Sequence, residues 1–209
     1  MRIIDISVPL REAMPIYPGD QPFALEPMLR MEQGAVCNLS RLVMGTHTGT
    51  HIDAPWHFNP EGKRVHEIPL ARLIGQVWVA DLRGYPAITA DALQQANIPP
   101  AFTRLLIKTD NSALWQKPTF QQSYVALTPD ACDWLIRHCI DVVGLDYLSV
   151  EPFGASEPAV HHKLCGAGVI IIEGLNLSEA ETGAYELICM PLLIEGADGA
   201  PARVALRIP

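Results

Sequence analysis

The sequence predicts a single α/β domain with a mixed β-sheet and few helices, on three observations. Short apolar runs of strand length recur along the whole chain, and few segments carry helix-start chemistry. No repeat or low-complexity linker divides it, so residues 1–209 read as one domain. At 209 residues and 49% hydrophobic, the chain can bury a sizeable core.

The elements follow in order. Residues 2–8 (RIIDISV) alternate as a half-buried strand does. Residues 14–20 (MPIYPGD) hold two prolines and a glycine and form a turn-rich loop. A strand over 36–44 leads into the segment 47–57. Core strands follow at 77–82 (VWVADL) and 105–109 (LLIKT), with a short helix over 88–95 begun at Thr89. Thr128-Pro129 combines an N-cap with a proline at the first helical position. The helix it opens should run to 139, with Ala131, Leu135 and Cys139 on one face. Strands at 141–145, 168–173, 185–191 and 202–208 complete the pattern.

Composition narrows the function. A net charge of −8 and the lack of any basic run argue against a nucleic-acid or anionic-membrane partner. The start, MRIIDISVPL, lacks the apolar core of a signal peptide, and the longest apolar stretch, 169–172, cannot span a bilayer. Cys37, Cys132, Cys139, Cys165 and Cys189 are odd in number, scattered and form no CxxC pair. They read as reduced, mostly buried thiols of a cytoplasmic protein, not as a zinc site.

Residues 47–57, H-T-G-T-H-I-D-A-P-W-H, carry the chemistry. His47, His51, Asp53 and His57 all fall on odd positions, so an extended strand would turn them to one face. At ~100° per residue a helix would set Asp53 roughly 120° from His47, and Gly49 and Pro55 disfavour a helix interior. Imidazole and carboxylate suit zinc, and also manganese or iron(II); three protein ligands leave positions open for water. On this reading Gly49 leaves room for an ion on the ligand face. Thr48 and Thr50 point the other way, to hydrogen-bond backbone.

A site of this kind draws on more than one segment. Glu173 ends the buried run G-V-I-I-I, where an ionised carboxylate is costly unless paired or ligated. His161-His162 follows the loop P-F-G-A-S-E-P-A-V, and one of the two is a candidate for a second ion. His66 and His138 read as structural, the latter at a helix end. Asp146 and the pair Asp110-Asn111 follow strands, where site and turn-making roles are equally open. Trp56, Phe23 and Phe58 are pocket candidates that fit the core equally well.

The central motif resembles the signature of the bacterial cyclase-like metal-dependent hydrolases, which include kynurenine formamidases (arylformamidases) and isatin hydrolases. Supporting matches occur in order along the chain: Y-P-G-D at 17–20, G-L-D at 144–146, H-H at 161–162, I-I-E-G-L at 171–175 and Y-E-L at 185–187. The resemblance implies a swivelling β/β/α fold and a homo-oligomer, a dimer or larger. It implies that His47, His51 and Asp53 hold one metal, zinc first and manganese as the alternative. Asp53 would bridge to a second ion held by His161 and Glu173, His161 being preferred because it lies twelve residues before Glu173. His57 becomes the proton-transferring residue and Tyr17 a substrate contact, although kynurenine formamidases usually have Trp at the latter position.

The expected activity is hydrolysis of a small-molecule aryl formamide, N-formyl-L-kynurenine to L-kynurenine and formate, by metal-activated water with His57 as general acid and base. No G-x-S-x-G element supports a serine mechanism. Two alternatives are a related hydrolase opening a cyclic amide or lactone such as isatin, and a non-catalytic metal-binding module. The second has no use for a fourth, base-like imidazole. A zinc that only staples the fold is unneeded at this size.

Overall fold

The computed structural model describes residues 2–208. The chain forms strands β1 (Arg2–Asp5), β2 (Ala24–Leu29), β3 (Leu39–Val43) and β4 (His51–Asp53), then helix α1 (Leu70–Leu73) and β5 (Ile74–Asp81). Helix α2 (Ala90–Gln95), β6 (Arg104–Lys108), α3 (Pro129–Arg137), β7 (Val142–Leu145), α4 (Ala159–Gly166) and β8 (Ile170–Glu173) follow. β9 (Gly183–Pro191) and β10 (Gly199–Ile208) are the final elements.

Eight strands form one sheet in the order β1-β10-β4-β8-β7-β6-β5-β9. Strand β9 also pairs with β10, which closes the sheet into a ring. The β5–β6, β6–β7 and β7–β8 pairs are parallel and the others antiparallel, giving the mixed sheet that the sequence implied. Strands β2 and β3 form a separate two-stranded ribbon.

The period-2 geometry of the ring strands divides the core in two. Ile52, Leu106, Val142, Ile170 and Ile172 face the inside, with Leu187, Val204 and Leu206. Leu105, Ile107, Val143, Leu145 and Ile171 face outward against α2, α3 and α4. Being covered on both faces, β6, β7 and β8 are apolar without alternation, as buried parallel strands are. A third cluster gathers Val8, Met14, Phe23, Trp115 and Tyr147 under the N-terminal loops.

Several boundaries differ from the sequence expectation. The Thr89 side chain caps α2, accepting from Ala92 N at 3.1 Å. Thr128 takes the N-cap position of α3 but donates its hydroxyl to Ile88 O instead of capping. That helix stops at Arg137: Cys139 lies beyond it with φ 56° and is exposed, so the buried face is Ala131, Cys132, Trp134 and Leu135. All five cysteines are free, and Cys132, Cys165 and Cys189 are buried. Among the described residues no helix is long and apolar enough to cross a membrane.

Candidate metal centre

Segment 47–57 is not one extended strand. Only His51–Asp53 pairs as β4; residues 47–50 turn, and Pro55–His57 is a 3-10 turn. Proline at its first position favours that turn, and Gly49 takes φ 68° in the other. The four side chains still converge, by chain reversal on both sides of a short strand instead of by alternation alone.

Strand pairing builds the centre. In the antiparallel register His51 sits opposite Glu173 and Asp53 opposite Ile171. Ile52 and Ile172 face the interior, so His51, Asp53 and Glu173 share the outer face. Helix α4 covers that face and contributes His161, which is buried while His162 is exposed. The His pair is therefore helical, not in a loop. Sequence patterning does not show α4, because Pro152, Gly154 and Pro158 punctuate the residues before it and its apolar side chains do not gather on one face.

Around the buried Asp53 the donor atoms form a tight set. His51 Nε2 lies 3.2 Å from Asp53 Oδ1 and 3.5 Å from Glu173 Oε2. His161 Nε2 lies 3.6 Å from Asp53 Oδ2 and 3.4 Å from Glu173 Oε1. His47 Nδ1 approaches Asp53 Oδ1 at 2.8 Å. Zinc bonds of about 2.0–2.1 Å at tetrahedral angles would space their ligand atoms by about 3.4 Å, which the His51 and His161 contacts match, whereas the His47–Asp53 contact is a hydrogen bond. Of the three buried side-chain polar atoms without a hydrogen-bond partner among the described residues, two are His51 Nε2 and Asp53 Oδ2. Such orphans are costly unless something is bound to them. The residues present fit a divalent cation.

The tautomers are set from behind. His51 Nδ1–H donates to Gly49 O at 2.9 Å and His161 Nδ1–H to Glu151 Oε2 at 3.1 Å, which turns both Nε2 atoms toward Asp53 and Glu173, where an ion would take their lone pairs. Glu151 also accepts from the His161 backbone N–H at 3.0 Å, fixing the start of α4. Glu173 Oε1 accepts from Val150 N at 2.7 Å.

The electrostatics call for positive charge. Burial alone would raise the Asp53 carboxyl, but His47, His161 and His51 outweigh it and hold it well below the usual carboxylate range. Burial alone would lower His51; Asp53 and Glu173 instead raise it to about 10. For His57 burial prevails over the pull of Asp53, and its pKa is lowered.

Two neighbours escaped the sequence reading. Glu151 lies immediately before the loop P-F-G-A-S-E-P-A-V, outside every segment read for the site. Asp198, just before β10, places Oδ2 3.1 Å from His47 Nε2 and 3.6 Å from His57 Nδ1. The rings of His47 and His57 stack at 4.1 Å. A carboxylate in the turn D-G carries no signal of its own; only the fold brings it to the motif.

Gly49 does not make room for an ion. A Cβ there would meet Leu10 Cδ2 at 2.6 Å, while its carbonyl oxygen receives His51 and would meet a Cβ on Gly174 at 2.0 Å. Thr50 accepts from Val8 N at 2.9 Å and donates to Gly174 O at 2.6 Å, and Thr48 accepts from Gly45 N, as expected of the opposite face.

Tyr17 lies edge-on to Phe120 at 5.3 Å and Phe153 at 5.8 Å. Its phenol is raised chiefly by burial, with His161 and Glu173 close enough to act on it. Phe58 stacks on His161 at 4.5 Å, whereas Phe23 is core and Trp56 lies under Arg64. Asp146 stays away from the centre, its carboxylate taken by Thr109 and Ser112. Asp110 and Asn111 hold loops through Gly84 and Val125. His66 accepts from Gly196 N, and His138 stacks on Trp134.

Residues 4–152 match the family model described as "Putative cyclase", and the chain belongs to that family. It is 39% identical over 204 residues to a kynurenine formamidase of Geobacillus thermodenitrificans (strain NG80-2), covering 98% of this chain and 96% of that one. It is also similar to the solved structure of a predicted metal-dependent hydrolase from Bacillus stearothermophilus. There the TM-score is 0.84 at 35% identity, over 98% of this chain and 97% of the other. Isatin hydrolase A from Labrenzia aggregata, bound to benzyl benzoate, superposes with TM-score 0.84 at 27% identity, over 98% and 93%.

Proposed function

We propose that this chain is a divalent-metal-dependent arylformamidase that hydrolyses N-formyl-L-kynurenine to L-kynurenine and formate. The observation that carries the chemistry is the buried cluster itself, in which His51 Nε2 and Asp53 Oδ2 each lie buried without a hydrogen-bond partner. The substrate class follows from the full-length similarity to a kynurenine formamidase.

His47, His51, Asp53, His161 and Glu173 would hold the metal, zinc first and manganese as the alternative. When bound, a divalent ion supplies Lewis acidity, polarising a carbonyl and lowering the pKa of water. His57 moves the proton. Its Nδ1 edge faces Asp198, so Nε2 is the nitrogen that takes a proton from the attacking water and returns it to the departing aniline nitrogen. The new bond joins water oxygen to the formyl carbon, and the formyl C–N bond breaks. Tyr17, with Phe120 and Phe153 beside it, offers aromatic edges to the aryl ring. Phe58 lies against His161 and keeps that side of the centre dry.

The chain acts as one domain in a homo-oligomer, a dimer or tetramer, in the cytoplasm. The β2–β3 ribbon supports association: Leu25, Met28, Leu29, Leu39 and Leu42 are all exposed on it, too many apolar side chains for a free arm. The likeness to an isatin hydrolase at 27% identity keeps a second reading, the opening of a cyclic amide.

The deciding experiment follows L-kynurenine by absorbance, using chelator-stripped protein reloaded separately with zinc and manganese. Metal-dependent turnover of N-formyl-L-kynurenine is expected. Turnover of isatin alone would replace the substrate, and hydrolysis of neither by metal-bound protein would leave a binding module.

A further inference from the structure

We propose that Asp198 is a positioning residue that holds the candidate ligand His47 and the proton carrier His57 as one stacked unit. The inference rests on the metal reading above and adds a residue to it. Three contacts carry it. Asp198 Oδ2 lies 3.1 Å from His47 Nε2, the nitrogen opposite the one that faces Asp53. Both ring nitrogens of His47 thus face carboxylates, and with an ion bound His47 would donate Nε2–H to Asp198 and present its Nδ1 lone pair to the cluster, since a ligating imidazole gives its other N–H to an outer acceptor. The same oxygen lies 3.6 Å from His57 Nδ1, so one carboxylate borders both rings of the 4.1 Å stack.

The carboxylate is itself fixed. Thr46, immediately before the motif, donates its hydroxyl to Asp198 Oδ1 at 3.2 Å. The Asp198 backbone is pinned independently, its carbonyl accepting from Ala54 N at 2.8 Å. Removing the side chain thus leaves the chain path in place and frees only the two imidazoles. Without Asp198, His47 loses the partner that selects its tautomer, and His57 loses the edge that turns its Nε2 inward.

The test uses the full chain with Asp198→Ala, Asp198→Asn and Thr46→Val. Zinc affinity of the stripped proteins is measured by competition with a chromophoric chelator, beside kcat and KM on the aryl formamide. Asp198→Ala should bind zinc 10- to 100-fold more weakly, by about the usual cost of an outer acceptor. Its kcat should fall at saturating zinc with KM little changed. Asp198→Asn should restore most of the affinity, because its amide oxygen can accept from His47 while its nitrogen faces the Thr46 hydroxyl. Thr46→Val, which leaves the carboxylate in place but unanchored, should show a smaller loss of the same kind. A lowered melting temperature in Asp198→Ala with wild-type zinc affinity and kcat would overturn the proposal, as would an asparagine variant no better than alanine. The affinity ranking decides for Asp198 even if wild-type protein binds zinc and cleaves no aryl formamide, a result that would sink only the substrate assignment.

Discussion

Gly199→Ala is a sharp test of how the centre is supported, because a single methyl group is aimed at one of its rings. A Cβ built on Gly199 would lie 2.5 Å from His47 Cε1, 2.9 Å from its Nε2 and 2.8 Å from Ile52 O. Carbon atoms rest at about 3.5–4.0 Å, so the His47 ring must retreat by roughly 1 Å or β10 must lift from β4. Since Gly199 pairs with Asp53 across that ladder, either response moves a candidate ligand. A misplacement of about 1 Å in such a constellation costs on the order of 10²-fold in rate. Gly166→Ala is the control: it ends α4, and a Cβ there meets nothing within 4 Å. The assay is kcat/KM on N-formyl-L-kynurenine with bound zinc counted in both variants. Gly199→Ala should lose about two orders of magnitude together with part of its zinc, while Gly166→Ala stays at wild type. Wild-type rate and zinc content in Gly199→Ala would refute the claim that His47 is held where it must be.

Three further outcomes are expected. His57→Ala should keep its metal and lose about 10²-fold or more in kcat, read by single-substrate kinetics on zinc-quantified protein; near-normal turnover would remove its proton-carrying role. Thr50→Val removes the buried acceptor of Val8 N and the donor to Gly174 O, and should cost about 1–3 kcal/mol in urea unfolding. Burial pushes the Asp146 carboxyl up to about 6, against the four donors from Thr109 and Ser112, from an ordinary value of 3.8. Because the folded pKa is the higher, the stabilisation is complete below about pH 4 and lost as pH rises through about 6. The wild-type stability advantage over Asp146→Asn should shrink across that window in urea midpoints; a flat difference would contradict it.

The strands were legible because buried runs such as V-I-I-I and L-L-I-K are too short and too β-branched or aliphatic to be anything else. Helix α2 was legible from Thr89, whose side chain does cap it. What stayed hidden depended on contacts far apart in sequence. His47, His51, Asp53 and His57 could be picked out by residue type, yet the alternation argument was only half right, since His47 and His57 arrive through a glycine turn and a 3-10 turn. Glu173 could be suspected from the cost of a buried charge, and the register opposite His51 is what realises it. Glu151 and Asp198 are ordinary loop acids in one dimension. They become partners of His161 and His47 only after α4 and β10 have docked.

The closure of the sheet has a consequence for the order in which the molecule can assemble. Strand β10 is the final described element, and it alone joins β1, β4 and β9. Every candidate ligand has been synthesised once Glu173 has been added, some 25 residues before Asp198 and Gly199. Until those two dock beside His47, the ring is open and one wall of the centre is water. Vectorial synthesis therefore separates the making of the donors from the making of the pocket. A growing chain carries the candidate donors as a loose set, and the docking of β10 completes the wall beside them. Non-local pairings of this kind are slow to form, so assembly of the candidate centre should lag behind the synthesis of β10.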